Sequence, residues 1–149
     1  MTPLLAIVAL QAAAAAPPAV VHASADDCAI IAAIGKAELG WGLKSPGDWP
    51  FFPDYDLAGG GSYVEDCRWG ALGVAAPTLG SPDSMRGAAV ARPVYGPGGL
   101  TATADLTTTM RAKDPDGRPL PPYLEDRVCR LERRAGAWRV VSCDTTAVT

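Results

Sequence analysis

Cys28, Cys67, Cys129 and Cys143 carry the most definite chemistry of this 149-residue chain, and its one histidine, His22, precedes them all. An even cysteine count behind an apolar leader reads as two disulfides. A structural zinc site fails on spacing, because no C-x-x-C pair occurs and His22 lies within the leader. Loss of that leader also removes the usual general base for a Ser, Thr or Cys nucleophile. A lysine base is the fallback, but no Ser-x-x-Lys occurs, and Lys36, Lys44 and Lys113 have no evident partner. No catalytic residue, metal ligand or cofactor is therefore expected.

Carboxylate pairs are the remaining acid–base candidates, if their surroundings split their pKa values. Asp54 with Asp56 and Glu65 with Asp66 qualify by spacing, and the first pair stands in an aromatic loop. Solvated carboxylates are the ordinary state of such residues, so neither pair is assigned a role. Asp114-Pro-Asp-Gly117 begins like a calcium loop, with Glu125 at the twelfth place. Its glycine is fourth rather than sixth and Arg118 occupies a ligand place, so it is a turn.

Two groups suit partner binding. The stretch from Trp49 to Tyr55 places Trp49, Phe51, Phe52 and Tyr55 among prolines, a stiff aromatic surface for a protein or sugar. Arg130 and Arg134 share one face of a strand, opposite Leu131, and form a basic patch for an anionic envelope component. Charge is otherwise mildly acidic, with a net charge of −3. The stretch from Asp26 to Asp83 has nine acidic residues against three basic, and the remainder ten basic against seven acidic. A nucleic-acid-binding domain would be clearly basic, so none is expected as partner.

The elements that hold these residues begin after residues 4–16, an apolar, alanine-rich run too short to span a bilayer. Small residues follow at alternate places, the pattern of a signal peptide, although no Lys or Arg precedes the run. Cleavage after Ala23-Ser24-Ala25 fits best, with Val21-His22-Ala23 the alternative. The expectation is a signal peptide over residues 1–25, one domain over 26–149, a periplasmic or secreted location and no membrane insertion after cleavage.

Asp26 and Asp27 mark a helix N-terminus, and Cys28, Ile30, Ile31, Ile34, Ala37 and Trp41 recur at helical spacing. The expected helix is Asp27–Leu39, ended by Gly40 and Gly42. Residues 45–61 and 75–86 read as loops, and 62–69 as a short strand bearing Cys67. From Leu100 to Met110 apolar even positions alternate with polar odd ones, broken only by Thr108, which marks a half-buried strand. Gly96 to Gly99 joins it to a strand over Val90–Tyr95. The last strands are Arg127–Arg134 and Trp138–Thr145. A hairpin loop of Ala135-Gly136-Ala137 sets Cys129 opposite Cys143, although one bulge would shift that register. Cys28 then pairs with Cys67 by elimination.

The sum is an α+β fold, one N-terminal helix packed on a curved antiparallel sheet of at least four strands and braced by disulfides. Helix and final strands, ending in Gly136-Ala137-Trp138-Arg139-Val140-Val141, resemble NTF2-like and cystatin-like domains. That resemblance implies the fold alone. Enzymes of the family commonly place His and Asp under the sheet, and the mature chain has no His. The functional expectation is a small exported, non-catalytic binding domain of the bacterial envelope with a protein or envelope component as partner. A carboxylate-dependent hydrolase or isomerase and a structural envelope accessory are the alternatives.

Overall fold

The computed structural model describes residues 22–45, 47, 49–50, 63–80 and 84–149. Helix α1 spans Ala25–Glu38, starting two residues before the expected boundary. Ser24 explains the early start. Its hydroxyl accepts the Asp27 amide at 3.0 Å, while the Asp27 carboxylate accepts the Ser24 amide at 2.9 Å. This reciprocal box satisfies two amides that the helix itself leaves unpaired.

At the other end the chain folds back, and the Leu39 and Trp41 amides both donate to the Gly35 carbonyl at 3.0 Å. Trp41 therefore lies past the helix rather than on its face, against expectation. Its indole rests on Gly35, where a Cβ would stand 2.0 Å from the ring. Only glycine permits that approach. Ala37, also expected on the apolar face, is exposed.

Burial on α1 is two-sided: Asp27, Cys28, Ile30, Ile31, Ala32, Ile34 and Gly35 are all buried. One side meets the sheet. The other meets an irregular layer formed by Trp41, Cys67, Trp69 and Val74, in which Trp41 and Trp69 pack edge to face at 5.7 Å. Cys28–Cys67 fastens that layer to the helix. The expected strand over 62–69 does not form: a one-turn helix α2, Tyr63–Asp66, and a 3-10 turn, Trp69–Leu72, occupy this stretch. The disulfide holds Cys67 against the helix, where no strand offers a ladder of backbone partners. Lys36 adds a tie by donating to the Leu72 carbonyl at 2.7 Å.

The sheet is antiparallel and open, with β1 Arg86–Val90, β2 Val94–Tyr95, β3 Thr101–Met110, β4 Tyr123–Arg134 and β5 Ala137–Val148. Its order is β1-β3-β4-β5, and β2 pairs with β3. The expected strand Val90–Tyr95 is split, since Pro93 has no amide to give the ladder. Ala102, Ala104, Leu106 and Thr108 are buried, while Thr101, Thr103 and Asp105 are exposed. The alternation thus holds, with Thr108 buried among its apolar neighbours. Leu100 and Met110, expected inward, are exposed because they lie at or beyond the ends of the covered stretch.

The last hairpin reaches the expected disulfide by a different path. Its turn is two residues, Ala135-Gly136, with φ of 50° and 78°. Positive φ at both places is the type I′ geometry that matches strand twist. This turn alone would set Cys129 against Ser142. Between Arg130 and Leu131 the register shifts, Val141 is extruded from β5, and Cys129 comes to face Cys143. A second shift extrudes Thr146. The Cys129–Cys143 bridge is formed on the buried face, where Cys129 has no exposure.

Replacing both Cys129 and Cys143 by Ala should cost about 3 kcal/mol, from loop-closure entropy over the 14-residue separation. Thermal melting should fall by about 10 °C. Gly35→Ala should cost about 2–3 kcal/mol by forcing the Trp41 ring from its seat. Denaturant melting should detect it, with a red-shifted tryptophan emission.

Candidate functional site

Among the described residues expected to bind a partner, Trp49 lies apart from Arg130 and Arg134. Trp49 is half-buried against the core, with the Arg86 guanidinium 5.6 Å from its ring centroid. The neighbouring Pro50 carbonyl accepts the Ala88 amide of β1 at 2.9 Å. Arg130 and Arg134 lie on β4, so β3 separates their strand from β1. Phe51, Phe52 and Tyr55 lie outside the described residues, as do Asp54 and Asp56. Arg130 and Arg134 do share the outer face, but each has a carboxylate partner. Arg130 pairs with Asp144. Arg134 pairs with Glu132 at 2.6 Å. The patch is a set of ion pairs rather than bare positive charge.

Glu65 is exposed, whereas Asp66 is engaged by the two residues ahead of Ser24. Ala23 donates its amide to Asp66 at 2.8 Å, and His22 Nδ1 lies 2.9 Å from the second oxygen. The Ala23 amide, and then the His22 ring, hold the Asp66 carboxyl below its ordinary range. The Asp114 turn forms as expected, with its carboxylate accepting the Arg118 amide at 2.8 Å.

A polar cluster at the N-terminus of α1 escaped the sequence reading. Tyr95, from the short edge strand β2, crosses the covered face until its ring meets Trp138 of β5 at 5.9 Å. Its hydroxyl donates to the buried Asp27 carboxylate at 2.6 Å. Beside it the Trp138 indole N–H donates to Asp26 at 3.1 Å, and Arg133 reaches the same carboxylate at 3.2 Å. Burial, then the bond to Asp27, pushes the Tyr95 phenol well above its ordinary pKa. Asp27 is thus the one buried carboxylate among the described residues, and its partners are structural: Ser24 and Tyr95.

On the opposite face of the sheet a shallow groove of about 390 Å³ runs between β2 and β5. Thr101, Thr103, Arg130 and Glu132 form its floor, and Val94 and Val141 its two apolar flanks. Val94 is 67 % exposed and Val141 57 %. A second hollow on this face is lined by Asp105, Thr107, Asp126 and Thr146, with the Thr107 hydroxyl bonded to Asp126 at 2.6 Å. Among the described residues no group of three His, Cys, Asp or Glu can hold a metal ion. No helix among them is long and apolar enough to cross a membrane.

Compared with family models, curated proteins and solved structures, the chain gave no match.

Raised ionisation of Tyr95 makes a stability statement. The folded state holds this phenol neutral, so its contribution is complete below the ordinary tyrosine pKa of about 10 and is lost as pH rises above it. Tyr95→Phe should cost about 1–3 kcal/mol at neutral pH by stripping a partner from Asp27. The alkaline fall in stability between pH 10 and 12 should be shallower in this variant, measured by denaturant melts at each pH.

Proposed function

We propose that the mature chain is an exported, disulfide-braced domain of the bacterial envelope that binds a protein partner and performs no catalysis. The groove between Val94 and Val141 is its docking face, with Arg130 on the floor. The observation that carries this reading is the placement of Val141. The bulge removes a β-branched aliphatic residue from the strand and presents it, more than half exposed, beside a polar floor. Apolar flanks round a few polar groups are what a protein interface uses. Arg130 and Glu132 offer charge of both signs within it, which sets register and orientation more than raw affinity.

The filled interior supports the same reading. Ile30, Ile31, Ile34, Leu106 and Leu131 occupy the space between helix and sheet, where a pocket enzyme of this architecture would keep its substrate. Export is supported by the two disulfides and by the leader-like composition of the first residues. The helix packed on an open antiparallel sheet is what supports the NTF2-like or cystatin-like resemblance as a reading of the fold. Trp49, held under Arg86 and against the core, is assigned to packing rather than to the partner.

Val94→Asp with Val141→Asp should leave the melting temperature within about 2 °C, because both residues are exposed surface positions. In cross-linking capture from the native envelope, the double variant should lose at least nine-tenths of the partner recovered with the wild type. Undiminished capture by a folded double variant would falsify the docking face.

A further inference from the structure

Two bonds near the start of α1 satisfy the small-residue pattern for removal of an exported leader: Ala23–Ser24 and Ala25–Asp26. Sequence favours the second. We propose that processing occurs at the first, so that the mature chain begins at Ser24; this rests on the export reading above.

The folded products differ in what they keep. Ser24 is the N-cap of α1 and half of the reciprocal box with Asp27. Cutting after Ala25 would discard it and leave the Asp27 amide without the hydroxyl that it bonds at 3.0 Å. Asp27 would lose the Ser24 amide as well, retaining only the Tyr95 hydroxyl among its side-chain and cap partners. Cutting after Ala23 preserves the whole box.

The bonds also differ in shape. Ser24 is extended, with φ −74° and ψ 166°, and exposed. Proteases bind their substrates as extended strands, and the Ala23–Ser24 bond is already next to such a residue. Ala25 and Asp26 belong to the first turn of α1, where the backbone is coiled. The first bond lies outside the coiled turn, although Ala23 before it is half-buried against the core with its amide held by Asp66, so its cleavage belongs before that contact forms.

The chemistry is amide hydrolysis by a signal peptidase. Water adds to the Ala23 carbonyl carbon, the bond to Ser24 nitrogen breaks, Ala23 leaves as a carboxylate and Ser24 nitrogen takes both protons of the water to become an ammonium. That nitrogen already donates to the buried Asp27 carboxylate at 2.9 Å, so cleavage converts a neutral donor into a charged one at the same place. A positive charge at a helix N-terminus is unfavourable to the dipole, and the contact with Asp27 opposes that cost. Removal of His22 and Ala23 has a further consequence. Asp66 loses both contacts that hold its carboxyl below the ordinary range.

The full chain, expressed in an exporting bacterium and recovered from the periplasm, is read by N-terminal sequencing and intact mass. A Ser24 start is the expected result. An Asp26 start overturns the site while leaving export standing, whereas a retained Met1 overturns the site and the export reading together. Two variants sharpen the choice. Ala25→Glu places a large charged residue just before the second bond only, and processing should be unchanged. Val21→Glu, three places before the first bond only, should abolish the Ser24 start. Loss of processing in Ala25→Glu, or an unaltered Ser24 start in Val21→Glu, overturns the assignment.

Discussion

Ion pairing at both ends of α1 ties the helix to β4, while its backbone lies closest to β5. Asp26 meets Arg133 at 3.2 Å, and Glu38 meets Arg127 at 2.6 Å. Twelve helical residues rise about 18 Å and six strand residues about 20 Å, so the two spans agree. The helix thereby runs antiparallel to β4 and parallel to β5, with Ile30, Ile31 and Ile34 in one core with Leu106 and Leu131. Trp138 reinforces the N-terminal contact through its indole N–H, and Arg133 lies 6.0 Å over the same ring. The irregular layer depends on this placement, because Cys28, Gly35 and Lys36 present it with a disulfide, a seat for Trp41 and a cap for Leu72.

Much of this frame was legible in sequence because it rests on local rules. Alternation from Leu100 to Met110 identified β3 and its buried face, failing only at its ends, where helix cover runs out. The helix was found from its acidic start and its apolar spacing. Its second buried side was not, because Trp41 returns to Gly35 from beyond the helix end, and spacing along one element cannot register a contact of that kind. A glycine inside a helix costs about 1 kcal/mol relative to alanine, and that cost was the available sign of a close approach. Cys129–Cys143 was anticipated from a three-residue turn. The molecule uses a two-residue turn and an extruded valine, which restore the same pairing.

The candidate groove was less legible, for a physical reason. Val141 reads as an ordinary strand residue, and its exposure follows from a register shift that no local pattern announces. Tyr95 gave no signal either, since its bond to Asp27 spans 68 residues. The arginines were visible as a cluster, and Glu132, the partner of Arg134, lies two residues away on the same strand. The partner of Arg130, however, is set by cross-strand pairing: Asp144 approaches it only once β5 is in register. Charge density read along a chain overstates the potential at a sheet surface whenever the neighbouring strand has the opposite sign.

The two extruded residues of β5 also govern how this domain behaves in a crowded compartment. β5 is the last strand in the sheet order, with its outer backbone groups unpaired within the sheet. Such an edge is a template for another chain. Extrusion of Val141 and Thr146 leaves runs of four residues, Ala137–Val140 and Ser142–Thr145, before the spacing breaks. An incoming strand would meet a kinked ladder and lose its match after two or three bonds. The irregularity that brings Cys129 to Cys143 thus also protects the molecule from edge-to-edge aggregation.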